Sequence, residues 1–277
     1  MAILYTGQGK TLAIHTSRRE SAIASMTVEY GRAEGACYCL IRIPKQTIDG
    51  DRIRPRVVLT SADGTLGGKK CSALDFSRRE NTVFTMNAGL FNTSTMIPQG
   101  QTLIGGSVVT DSPMTDDMGA AISAAECYPL CIDRNGDLSA PYGRSVTAAQ
   151  LIAGGVVHAV TGWGQLLGNF RQSSTDKFNE IVHPGKYIRQ CIGQYDNGDY
   201  MVCTVDGSRN GKATNDAGMT YDSLAALLTA KGVKFAYSLD GGGSAQTVIG
   251  LRQVNPIYEG ASGRAVATVI CFDVVDA

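Results

Sequence analysis

Apolar runs in this chain are short, and most end at a glycine-bearing turn. "YMVCTV" stops at Asp206-Gly207, "KFAYSL" at Asp240-Gly241, and "CIGQY" at Asp-Asn-Gly-Asp. Runs of about 4–8 residues bounded by Gly, Asn and Asp read as strands, and Asn-Gly pairs as hairpin turns, because positive φ there suits the twist of the paired strands. The 33 glycines against 8 prolines fit many short strands better than a helical bundle. Two segments read as helices. "SVTAAQLIAGG" opens on Ser/Thr caps and stops at Gly, and "TYDSLAALLTAKG" has Thr220 or Asp222 as cap, Leu224, Leu227 and Leu228 on one face, and Gly232 as stop. "DFSRREN" reads as a charged connection. The expected fold is α+β: one domain of mixed, largely antiparallel sheet with a few helices, with residues 1–81 as a β-rich segment packed on a main domain of residues 82–277.

Composition excludes several classes of function. With 277 residues, 43% of them hydrophobic, the chain can bury a substantial core. Lys+Arg and Asp+Glu both number 25, so no global field holds the protein on nucleic acid or an anionic membrane. No apolar run is long enough to span a bilayer, and the first twenty residues lack the pattern of a secretory signal, so the expectation is a soluble protein, cytoplasmic or associated with a phage or virion. The eight cysteines lie mostly inside apolar runs and have no His partners at zinc-site spacing; they read as free thiols, with no metal and no cofactor expected. "GQGKT" at 7–11 imitates a phosphate loop but has Leu4 where that pattern needs glycine, and reads as a turn. His158 reads as a strand or core residue, while His183, in a polar loop six residues before Arg189, is a candidate to line a site.

"SLDGGGSAQ", residues 238–246, puts three glycines directly after a strand. Such a run costs stability unless the backbone needs positive φ or something approaches it closely. Two readings stand: a hairpin with "AQTVIG" as its returning strand, and a turn whose N–H groups face an anion. Asp206 and Asp240 both follow apolar strands, so they can emerge at a common cleft as a pair for acid/base or nucleophilic work. Arg189 and Arg264 read either as solvent-face residues or as bidentate donors to a phosphate, and Asn87 suits a sugar hydroxyl.

From about Thr82 to Val275 the chain resembles the phosphodiester glycosidase family. The resemblance rests on "MNAGLF", "IRQCIG", "VDGSRNG", "GMT" followed by "YDSLAALLTAKGVKFAYSLDGGGS", and the closing "VNPIYEGASGRAVATVICF". The chain departs from the family pattern at Leu90, Gln190, Cys191, Ser208 and Ala265. The resemblance implies hydrolysis of a glycosyl C1–O–P bond in a small or polymeric sugar-phosphate substrate, releasing sugar and a phosphomonoester. It implies catalytic roles for Asp240, Asp206 and Arg189, and substrate contacts from Asn87, Gly89, Phe91, His183, Thr220, Gly241, Gly242, Gly243, Ser244 and Arg264. The alternatives are a sugar-phosphate binding module without turnover and a phosphodiesterase cutting the other P–O bond.

Overall fold

The computed structural model describes residues 2–5, 11–14, 17–115, 121–122, 127–174, 185–207 and 216–275. His183 and the "GQGK" of residues 7–10 lie outside these. The alternating and continuous apolar runs form three mostly antiparallel sheets, with four described helices on their faces. The seven-stranded sheet runs, in spatial order, β15 (Arg171–Gln172), β14 (Gly164–Gly168), β18 (Phe235–Ser238), β16 (Arg189–Gln194), β17 (Tyr200–Val205), β4 (Ala36–Ile43) and β3 (Thr27–Ala33). A five-stranded sheet packs against it: β20 (Arg252–Gln253), β19 (Thr247–Ile249), β6 (Phe84–Asn87), β21 (Thr268–Val275) and β5 (Arg52–Leu59). The third consists of β12 (Leu138–Ser139), β11 (Pro129–Asp133), β13 (Val156–Thr161), β7 (Gln101–Ile104) and β8 (Ser107–Asp111). Two further pairs are β1 (Ala2–Tyr5) with β2 (Thr11–Ile14) and β9 (Met114–Thr115) with β10 (Ala121–Ile122). Strands from residues 27–59 thus complete both large sheets: β4 pairs with β17, and β5 with β21.

Strand alternation sorts the side chains of the seven-stranded sheet. Ile192, Val202, Tyr237 and Leu239 face the second sheet and share a core with Phe84, Met86, Ile270 and Phe272. Cys191, Cys203, Val205 and Ala236 face the other way, onto Tyr221, Leu224 and Leu228. Those three belong to α4 (Tyr221–Ala230), capped by Thr220 as its sequence implies and ended just before Gly232 at φ +72°. The shorter α3 (Ala148–Ala153) carries a capping box of Thr147 and Gln150.

Three elements differ from expectation. The N-terminal third contains helices: α1 (Arg18–Ala24), capped by Ser17, and α2 (Ala73–Glu80), capped by Ser72. α2 takes in the "DFSRRE" read as a connection; it buries Leu74 and Phe76 while its charges face outward. "SLDGGGSAQTVIG" is not a hairpin. β18 and β19 belong to different sheets, and the glycine run carries the chain from one layer to the other.

Candidate active site

Strand β16 lies between β17 and β18 and is antiparallel to both, so the latter two run the same way and end at one edge. Arg189 opposes Val205, and Cys191 opposes both Cys203 and Ser238. Continuing that register by one or two residues sets Asp240 beside Arg189 and Asp206 beside Ile188. The two flanking strands are separated by two strand spacings, about 9.5 Å. Alternation gives the acids opposite faces: Asp206 follows Val202 and Thr204 toward the second sheet, and Asp240 follows Ala236 and Ser238 toward α4. One sheet edge therefore presents both acids without making them a carboxylate dyad on a shared face.

On the α4 face, Arg189 is 2% exposed and stacks its guanidinium 3.7 Å from the Tyr221 ring centre. Its Nε donates to the Met219 carbonyl at 3.0 Å and its Nη2 to the Gly185 carbonyl at 2.9 Å. Burial lowers its pKa, with Tyr221 and Tyr187 acting against that shift. A lone strand arginine is thus a locked interior cation here, since carbonyls and a ring face replace part of its hydration. Burial pushes the Tyr221 hydroxyl up to about 12; Arg189 opposes the rise, and the charge of Asp240 adds to it. On the opposite face, the Tyr258 hydroxyl donates to Asp206 Oδ1 at 2.6 Å. Burial raises the Asp206 carboxyl above its ordinary range, the Tyr258 bond opposes this, and the negative charge of Asp216 adds to it.

The glycine run owes its composition to close backbone approach. A Cβ on Gly241 would stand 2.6 Å from the Ile188 carbonyl oxygen, and Gly242 has φ +56°. The N–H groups of Asp240, Gly242, Ser244 and Ala245 donate to the carbonyls of Ala88, Ile188, Gly241 and Gly242. Those four turn inward on protein oxygens, so they do not form the outward anion nest that the sequence suggested. Asn87 clasps both ends of the crossing: its Nδ2 donates to the Asp240 carbonyl at 2.6 Å, and its Oδ1 accepts from the Gln246 N–H at 2.9 Å.

Arg264 and Ser244 meet at the same crossing. Arg264 grips Glu259 with Nε and Nη2, at 2.7 and 2.6 Å, and its Nη1 donates to Ser244 Oγ at 3.2 Å. The remaining expected contacts have structural surroundings. Phe91 packs with Phe76, Val248 and Val269. Gly89 lets the chain pass over β13, where a Cβ would lie 2.9 Å from the Thr161 carbonyl. Thr220 Oγ1 accepts from the Ser223 N–H as the α4 cap.

Sequence reasoning missed Tyr221, Tyr258, Glu259 and the part played by Gln190. Gln190 forms a closed polar triangle with Thr204 and Thr247 that ties β16 and β17 to β19, with contacts of 2.7–2.9 Å. Nothing local marks Tyr258 and Glu259 in the "IYEG" stretch, because what pairs those residues with Asp206 and Arg264 is tertiary. Among the described residues no group of three or more His, Cys, Asp or Glu is placed to hold a metal. No described helix is long and apolar enough to cross a membrane.

Comparison with known proteins places this architecture. The catalytic domain of zebrafish N-acetylglucosamine-1-phosphodiester alpha-N-acetylglucosaminidase, auto-inhibited by its pro-peptide, superposes with a TM-score of 0.65 at 18% identity, covering 89% of this chain and 81% of that one. A hypothetical protein from Synechocystis gives 0.61 at 13% identity over 91% of this chain and 62% of its own. At these identities the likeness is one of fold. In sequence, an uncharacterized SPbeta prophage-derived protein of Bacillus subtilis, YomE, is 34% identical over 84 residues, which is 30% of this chain and 12% of that protein's length. Residues 80–273 match the phosphodiester glycosidase family. That match takes in more than half of the sequence, and the chain belongs to the phosphodiester glycosidase family.

Proposed function

We propose that the protein hydrolyses the glycosyl C1–O–P bond of a sugar 1-phosphodiester, with N-acetylglucosamine as the sugar to test first. The observation that carries the reading is the strand register at one sheet edge, which brings the strand-end acid Asp240 next to the buried cation Arg189. Asp240 acts at the anomeric carbon as nucleophile or base, and Arg189 compensates the charge of the departing phosphomonoester. A phosphate leaves more readily than an alcohol, so stabilising the oxocarbenium-like centre and the leaving anion matters more than general-acid help. Asp206, whose burial favours its protonated form, holds a substrate hydroxyl or supplies a proton from the other side of Arg189. Arg264, already neutralised by Glu259, positions Ser244 rather than carrying the phosphate.

The test is release of free sugar from an aryl-phosphate or nucleotide diester of N-acetylglucosamine in water enriched in heavy oxygen. C–O cleavage puts the label in the sugar. Label in the phosphate would identify P–O cleavage and refute the assigned bond, and binding without release of either product would refute turnover. Loss of sugar release in Asp240→Asn would tie the chemistry to this edge.

A further inference from the structure

At the opposite end of the seven-stranded sheet, beyond the β16–β17 hairpin, lies an open polar cleft of about 460 Å³, within the size range of small-molecule sites. The five strand steps from Arg189 to Gln194 put it about 17 Å or more from the Asp240 edge, so it is a separate site. Arg52 and Arg54 stand at i and i+2 on one face of β5 and reach into it, their backbones about 7 Å apart. The next arginine on that face, Arg56, is paired with Asp273, but no carboxylate among the described residues pairs with Arg52 or Arg54. Arg54 is braced by an Nη1 bond of 3.0 Å to the Arg134 carbonyl, and its enclosed Nε has no acceptor.

The other charges lining the cleft are already matched. Lys45 pairs with Asp137. Asp199 is bound by Arg42 at 2.7 Å, and it also accepts from the Lys45 N–H and the Asn197 amide. Two uncompensated guanidinium groups remain in a protein of zero formal net charge. Beside them, the exposed side-chain amides of Gln46 and Asn135 also line the cleft. Arginine forks match phosphate oxygens in pairs, and an amide offers a donor and an acceptor together, the combination that a sugar hydroxyl needs. Among the described residues no aromatic ring lines the cleft to stack a nucleobase. We propose that this cleft binds a phosphorylated saccharide, with the phosphate on Arg52 and Arg54 and the sugar hydroxyls on Gln46 and Asn135.

Binding is measured by calorimetry at low ionic strength with glucose 1-phosphate, inorganic phosphate and maltose, on the wild-type chain and on Arg52→Gln/Arg54→Gln. The expected result is that glucose 1-phosphate binds more tightly than either other probe. The double variant should lose at least about tenfold in that affinity, the scale of a charge-assisted contact, while sugar release from a phosphodiester stays unchanged. If the double variant melts early, Arg52→Gln alone serves, because its side chain is exposed and unpaired, and it should weaken binding severalfold. Unchanged affinity in the variants overturns the proposal, as does phosphate or maltose binding as tightly as the sugar phosphate. Since binding is read without turnover, failure of the hydrolase reading leaves this test intact.

Discussion

Replacing Gly241 with alanine tests whether the crossing segment sets the position of Asp240. The new Cβ would sit 2.6 Å from the Ile188 carbonyl oxygen, and that oxygen also receives the Gly242 N–H at 3.1 Å. Ordinary contact needs roughly 0.8 Å more, and the obstacle is backbone, not the mobile tip of a side chain. Overpacking of this kind costs about 1–3 kcal/mol, and losing the Gly242 bond adds about 1 kcal/mol. The displaced segment begins at the acid beside Arg189, and misplacement of a reacting group by about 1 Å can cost ~100-fold in rate. Urea unfolding and sugar-release kinetics should therefore both respond, with kcat falling more than stability alone explains. Gly67→Ala is the control, because nothing lies within 4 Å of its Cβ position. A Gly241→Ala protein as stable and as active as the Gly67→Ala one would refute the argument.

Asp240→Asn should fold normally and lose sugar release by several orders of magnitude, as measured by single-turnover assay; near-native activity would remove Asp240 from the chemistry. Arg189→Lys cannot reproduce both carbonyl bonds and the stacking on Tyr221, so Tm should fall, and turnover of a phosphodiester should drop far more than that of a neutral aryl glycoside. Equal losses on the two substrates would make Arg189 a structural residue only. Asp206 carries a raised pKa in the folded protein, so its contribution to stability is complete below the unfolded value near 3.8 and is lost as pH rises through the folded value. Asp206→Asn does not titrate and keeps an acceptor for Tyr258, so its Tm relative to wild type should climb from about pH 4 toward neutrality; a pH-independent difference would contradict the burial argument.

The strands and the two capped helices were legible because their signals are local. Thr147 with Gln150 and Thr220 ahead of an apolar face announce a helix start wherever they stand. The helix α2 had such a signal too, in Ser72 three residues before Asp75, but the arginines that follow mask the buried pair Leu74 and Phe76. The crossing of "DGGGS" was not legible, because a hairpin and a change of sheet both begin with a strand ending at Asp-Gly. What separates them is the partner of β19, and that is β6, more than 150 residues earlier in the chain. The same holds at the site. Asp206, Asp240 and Arg189 could be placed at strand ends from pattern alone, but the opposite facing of the acids depends on pairing register, and a one-residue slip would reverse it.

The Asn87 clasp holds the ends of the crossing by main-chain oxygen and nitrogen atoms. Every residue type except proline offers those same atoms, so the clasp places no demand on which other side chains stand at positions 240 to 246 beyond the room that Gly241 provides and the positive φ of Gly242. The acid itself is therefore exchangeable without loosening its mount. A protein built this way can gain, lose or retune its chemistry by substitution at the mounted position while the two layers stay joined.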